Sequence, residues 1–397
     1  MQMNHNIDKA IKYLFMVFAL SACISTAGTS IALCLIILFM IIRYRLKSFN
    51  LVLEAGLLRA VSLFLGTMLI AVLFSQNIRL SLDVFQGHIL RILIVFIAAA
   101  TIRSRQQILL LVIILAISIN IDNIYAAWQY FKNPAGYRPV GFNNNATFYA
   151  THLLEITIIS LVAIVDCKNL LPRYRLLFSM TVGFSFVMLV LNQTRGAWLA
   201  LAAVFFAYGL INRQHWRKVI VLVLIMSFGF GTALAVSPSL QERFTSITNV
   251  KHETNTERIL MWQSSLEIFK DYPLTGVGPG GFYYYYNQVY ISPLAKEQGH
   301  TSPHNNLLLS LTETGIIGII GLLYLWGYLL YFFARDYWLH PDRIWSLAAL
   351  LVTVAILVQG LTDHNFQNPS IMRLYWFIIG IAFAAQIVWD CESYKES

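Results

Sequence analysis

The chain has 397 residues, of which 58% are hydrophobic and only 12% charged, and it carries a net charge of +9. One soluble core cannot absorb so many large apolar side chains, which excludes an ordinary globular domain and points to a protein that crosses a membrane many times. The positive balance does not make a nucleic-acid binder either, because the basic residues are spread between apolar runs rather than gathered on one face.

Apolar stretches near the length needed to cross a ~30 Å hydrocarbon layer centre near Phe18, Ile36, Leu65, Val95, Ala116, Ile158, Gly183, Ala203, Leu224, Gly321, Leu351 and Ile378. The second of them, residues 31–42, is short. The expected architecture is an all-α polytopic membrane protein of about twelve transmembrane helices, one membrane domain over residues 1–397. Leu20-Ser21-Ala22-Cys23 follows the first run like a lipoprotein processing site. It is read as the end of the first span, because removing that span would invert the charge pattern of everything downstream.

With the N-terminus inside, sixteen of the 28 lysines and arginines fall on the cytoplasmic side, among them Lys9, Lys12, Lys47, Lys168, Arg213 and Arg217. The short outer loops hold five, Arg79, Lys132, Arg138, Arg195 and Arg373, and the long loop another five. That asymmetry sets both termini in the cytoplasm and the long loop outside, and the anionic inner leaflet accounts for most of the net charge. Arg59 and Arg91 lie inside spans, and with Glu54 they have no partner evident from sequence. None of the four cysteines falls in the outer loop, so neither a disulfide framework nor a metal cluster is expected.

Residues 237–305 form the one long polar insertion, between the ninth and tenth spans. Within it Thr256 can cap a helix in which Ile259, Trp262, Leu266 and Phe269 share a face, and Tyr272-Pro273 stops it. TGVGPGGF follows, with four glycines and a proline in six residues, a sign of tight irregular backbone. The run Tyr283 to Tyr286 reads as an interfacial aromatic belt or as a platform for sugar rings.

The loop ends in HTSPHNNLLLSLTETG. There His304, with His300, Asn305 and Asn306 beside it and Gly315 about three turns on, makes a polar cluster at the mouth of an apolar helix. Imidazole can accept a proton near neutral pH without a metal. Arg195 in LNQTRGAW, next to Gln193, is costly at such depth unless it is paired or meets an anion. Arg258 borders the apolar face of the loop helix. Arg79 and Arg138 lie in further outer loops, and Asp363-His364 adds an outward polar pair. Several outward arginines and a histidine, without an acidic cluster at metal-ligand spacing, suit a diphosphate bound without a divalent cation. No P-loop, HExxH or GxSxG motif is present, and TGVGPGG follows a helix rather than a strand, so no cofactor is expected.

On NQTRGAW, on ERILMWQSSLEIFKDYPLTGVGPGGF and on HNNLLLSLTETGIIG, in that order, the chain resembles the O-antigen ligase and polymerase superfamily of bacterial inner-membrane enzymes. Among these it is most similar to the lipopolysaccharide O-antigen ligases. The resemblance covers residues 192–322 and implies a GT-C-like fold and metal-independent glycosyl transfer at the periplasmic face of a Gram-negative inner membrane. The donor would be O-antigen on undecaprenyl diphosphate and the acceptor a sugar hydroxyl of the lipid A core. Carried onto this sequence, His304 would be the general base and Arg195 and Arg258 would hold the leaving diphosphate. Arg79 and Arg138 would be weaker donor contacts, with His300, Asn305 and Gln193 nearby. An O-antigen polymerase or a protein oligosaccharyltransferase of the same superfamily would use a similar donor. A transporter or flippase would more often show internal repeats and midplane ionisable groups.

Overall fold

The computed structural model describes residues 2–45, 54–133, 136–167, 169–212 and 215–396. Lys47, Lys168 and Arg213 of the inner basic set lie outside the described residues. The described chain forms helices α1 (Gln2–Ser21), α2 (Thr26–Arg45), α3 (Ala55–Leu73), α4 (Ile78–Thr101), α5 (Arg105–Lys132), α6 (Ala146–Asp166), α7 (Pro172–Asn192), α8 (Arg195–Ile211), α9 (Trp216–Val236), α10 (Pro238–Thr245), α11 (Glu253–Asp271), α12 (Phe282–Tyr285), α13 (Asn306–Leu339), α14 (Ile344–Gln359) and α15 (Pro369–Glu396), with no strand.

Nine of the described helices, α2 to α7, α9, α13 and α15, are long and apolar enough to cross a membrane. Helices α8 and α14 are apolar but shorter, with 17 and 16 residues, and α1 carries Asp8, Lys9 and Lys12. The short second apolar run sits inside a longer helix, because the hydroxyls of Thr29 and Ser30 are satisfied on Thr26 O, which lets α2 begin early.

Side-chain caps fix several helix starts. Asn77, Ser104 and Asn145 accept from backbone N–H groups two or three residues on, each worth roughly 1 kcal/mol, and Pro172 opens α7 where no N–H is needed. Helices α6 and α15 lie deepest, α15 packs along α4 and α13 along α3, while α9 stands at the edge with little of its surface covered. Cys23 is buried in the turn joining α1 to α2, its N–H donating to Ser118 Oγ at 3.2 Å.

The three charged residues without evident partners are accounted for locally. Glu54 caps α3 on Leu57 N–H and also accepts from the Tyr328 hydroxyl. Arg59 Nε–H donates to Ala55 O on its own helix. Arg91 Nη1 donates to Gln367 O at 2.8 Å, and Gln367 Nε2 donates in turn to buried Glu313 Oε2 at 2.6 Å.

The polar insertion is fastened to the bundle through a break in α13. Gly315 has φ 61° and ψ −163°, a conformation open essentially to glycine alone. The break frees four backbone groups that an unbroken helix would pair within itself. The glycine turn takes them over: Val277 and Gly278 N–H donate to Thr312 and Glu313 O, each at 2.9 Å, and Ile316 and Ile317 N–H donate to Pro273 and Leu274 O at 2.9 and 3.2 Å. Glu313 Oε1 further accepts from Phe282 N–H at 3.4 Å.

Two expectations for the insertion need correction. The loop helix begins at Glu253, a turn before Thr256, whose hydroxyl donates instead to Val250 O. Its buried face is not the Ile259, Trp262, Leu266, Phe269 stripe but Glu257, Leu260, Met261, Ser264, Ser265 and Ile268. Met261 and Ile268 pack there with Phe282, Tyr286 and Leu309 in a second small core, and the small Ser264 and Ser265 permit close approach that bulky side chains would block. The tyrosine run is split by the same packing: Tyr286 is fully buried and stacks on Phe282 at 5.3 Å, whereas Tyr283 and Tyr284 are half exposed.

Candidate active site

His304 occupies the last residue before the cap of α13, at φ 51°. A left-handed backbone is uncommon for a residue with a side chain, and its neighbours hold it there. Trp262 Nε1–H on α11 donates to Pro303 O at 2.9 Å, and Asn305 caps α13 on Leu307 and Leu308 N–H while its Nδ2 donates to Leu361 O at 3.0 Å. Asn306 ties the same corner to the α14–α15 turn through Asn365 and Gly360. Asn305 and Asn306 thus build the corner that carries His304.

The α14–α15 turn brings Asp363 to the site. Its Oδ1 lies 3.4 Å from His304 Nδ1 and 3.8 Å from Arg258 Nη2. The first contact is within ion-pair range without hydrogen-bond geometry. One nearly buried carboxylate therefore joins the imidazole to the arginine of α11. His300 and His364 flank His304 with ring centroids 5.9 Å away on either side. Burial, and then the neighbouring His304, pushes His364 down to about 4 and lowers His300 as well, so His364 is neutral at physiological pH.

Three further arginines converge on this point. Arg195, at the start of α8, donates from Nη1 to Ser246 O and Oγ, both at 3.0 Å, and from Nη2 to Thr254 Oγ1 at 3.1 Å. Arg138 donates from Nε to Asn192 O at 2.9 Å and from Nη2 to Thr194 Oγ1 at 3.2 Å. Arg243 on α10 donates from Nε to Gln193 O at 3.2 Å. Gln193 adopts φ 58° to end α7, and its amide donates to Ser239 Oγ at 3.4 Å. Space for the turn comes from Gly196, where a Cβ would fall 2.3 Å from Thr362 Oγ1 and 3.7 Å from Asp363 Oδ2.

Arg138, Arg195, Arg243 and Arg258 act on one another electrostatically, with Asp363 the carboxylate they share. Burial and then Arg243 bring Arg138 down to about 10, and burial and then Arg258 lower Arg243. An arginine at about 10 is still charged at neutral pH, so four cations share the carboxylate of Asp363, with Glu242 acting on Arg243 besides, and the surplus invites an anion.

The structure thus gathers His304, Arg195, Arg258 and Arg138, sets His300 beside them, and gives Asn305 and Gln193 backbone-supporting roles. Arg79 is exposed in the first turn of α4 and shares no contact with the arginine cluster among the described residues. Sequence reasoning passed over Arg243, whose signal was a basic residue in the short polar helix just after a span. It also left unread how Asp363 would meet His304, and the anchoring role of Glu313. Among the described residues no three histidine, cysteine, aspartate or glutamate side chains gather in a way that could hold a metal ion.

Residues 180–323, from the middle of α7 to the middle of α13, match the family model described as O-antigen ligase. Over that stretch the chain is similar to the O-antigen ligase family. The matched stretch contains Arg195, Arg243, Arg258, His300, His304 and Gly315, while Arg79, Arg138 and Asp363 come from outside it. The chain is also similar to an uncharacterized protein of Haemophilus influenzae, 26% identical over 208 residues, which cover 49% of this chain and 52% of that protein. The chain therefore spans about half the length of this relative.

Proposed function

We propose that the protein is an O-antigen ligase of the inner membrane, with about twelve spans, cytoplasmic termini and its site open to the periplasm. It transfers O-antigen from undecaprenyl diphosphate to a hydroxyl of the lipid A core. The observation that carries this reading is the convergence of four arginines and one histidine around the single carboxylate of Asp363. In this reading the acceptor hydroxyl attacks the anomeric carbon of the donor sugar and gives its proton to His304. The bond from that carbon to the diphosphate oxygen breaks, and the diphosphate leaves with its charge held by Arg195, Arg243 and Arg258. Arg138 braces the cluster from the α5–α6 turn, and Asp363 orients the imidazole while limiting repulsion with Arg258.

The test is purified protein with a lipid-linked glycan and rough lipopolysaccharide. Glycan attached to the lipid A core supports ligation. Elongated lipid-linked chains with no lipid A product would overturn it in favour of a polymerase.

Two predictions arise here. Arg258→Ala should lower transfer by about 10- to 150-fold, the equivalent of one charge-assisted contact of roughly 1.5–3 kcal/mol, and Arg258→Lys should recover only part of it, because the ammonium lacks the planar fork. Initial rates at saturating acceptor measure both; a wild-type rate in Arg258→Ala would remove Arg258 from the site, and one in Arg258→Lys would show that charge without the fork suffices. A chelator should leave the rate unchanged, since the arginines supply the countercharge; restoration of a chelated enzyme by a divalent ion would contradict that assignment.

A further inference from the structure

A groove of about 840 Å³ runs between α7 and α9 over a floor from α6, and the transfer chemistry makes no use of it. Two glycines keep it open. A Cβ on Gly183 of α7 would meet nothing within 4 Å, and one on Gly229 of α9 would meet only Phe186 at 3.7 Å. The walls are large apolar side chains left bare by the protein, such as Val187 and Ile225, 51% and 64% exposed. The chemistry changes at one end only, where Arg217 and Lys218 in the first turn of α9 line the groove. Both are exposed, and neither makes an ion pair among the described residues.

We propose that this groove is a binding site for one anionic phospholipid, its phosphate at Arg217 and Lys218 and an acyl chain laid between α7 and α9. From Arg217 to Gly229 the helix rises about 18 Å, slightly more than half of a ~30 Å hydrocarbon layer, which is the depth one leaflet's chain reaches. Basic residues at the end of an intramembrane groove attract anionic headgroups at the membrane surface. A helix of a second copy would cover the apolar walls but leave the two cations unanswered. A polyprenyl diphosphate would place its charge at the far end, beneath the buried arginines, and would also leave them unanswered. The lipid has a structural consequence, because α9 is little covered by protein and leads through Ser237 directly into α10, which carries Arg243. A chain filling the groove would steady the helix that positions this arginine.

Native mass spectrometry of the delipidated full-length protein, titrated with phosphatidylglycerol or phosphatidylcholine of matched chains, tests the site. Phosphatidylglycerol should be retained about tenfold more strongly, since each basic residue near the surface contributes several-fold. The double variant Arg217→Gln/Lys218→Gln should reduce the preference to within about twofold, and both changes lie on the exposed surface. Gly183→Phe, whose Cβ would meet nothing within 4 Å, should lower retention of both lipids. Phosphatidylglycerol carrying a diazirine at the end of its chain should label α7 and α9 peptides. Equal retention of the two lipids, a preference that survives the double variant, label on other helices, or retention of a polyprenyl diphosphate alone would each overturn the proposal. None of these readouts depends on glycosyl transfer.

Discussion

Replacing His304 with alanine is expected to lower glycan transfer by about 10²–10⁴-fold, the range for losing a positioned general base, while the protein still folds and inserts. The side chain is about one third exposed and its polar contact among the described residues is with Asp363, so truncation opens no cavity in the bundle. The backbone at φ 51° complicates the alanine variant, because alanine enters the left-handed region less readily than histidine or asparagine. His304→Asn is the sharper variant, since asparagine tolerates the left-handed region yet cannot serve as a base. Both variants should match the wild type in membrane yield and thermal stability and differ from it in transfer. If either supports full transfer in the purified system, the base lies elsewhere. Asp363→Asn should be milder, because it disturbs the orientation of the imidazole and leaves the imidazole in place.

The apolar runs made the helical bundle legible, since an uninterrupted run of that length in a chain so poor in charge has few other homes. Helix ends were less so. Residues 31–42 read as a short span because the signal was apolarity, whereas the helix is extended by hydroxyls that bond backward to Thr26. The face of α11 was misread for a related reason: periodicity finds large apolar residues, but the packing surface selected Ser264 and Ser265, whose small size allows the approach of the tyrosine turn. At the site, His304 and Arg195 stood out as polar groups at the mouths of apolar helices. Arg243 did not, because nothing in its local sequence shows that α10 folds back over the end of α7. Asp363 is nearly sixty residues from His304 along the chain, and only the return of α14 and α15 brings the two together.

The second large effect is expected at Gly315, far from any reacting atom. Gly315→Ala places a Cβ within 2.3 Å of Leu274 O, on backbone that cannot swing away, at a φ and ψ that L-residues do not adopt. The helix has an escape: Thr312 O and Ile316 N–H, and Glu313 O and Ile317 N–H, stand four residues apart, so α13 can straighten and pair them internally. The glycine turn has none. It would lose four backbone hydrogen bonds at once, each worth about 0.5–1.5 kcal/mol, and with them its hold on the membrane domain. The variant should therefore insert normally and keep its helix content, yet be cut by protease within residues 273–281, where the wild type resists. Transfer should fall by about 100-fold or more, because displacement of reacting groups by an ångström has that scale, and α11 carries both Arg258 and the Trp262 bond that holds the His304 corner. Wild-type protease resistance together with wild-type transfer in Gly315→Ala would show that the break in α13 is incidental. Protease sensitivity with transfer intact would show instead that the site is held by the α14–α15 turn, through Asp363 and the asparagines, without the loop's second anchor.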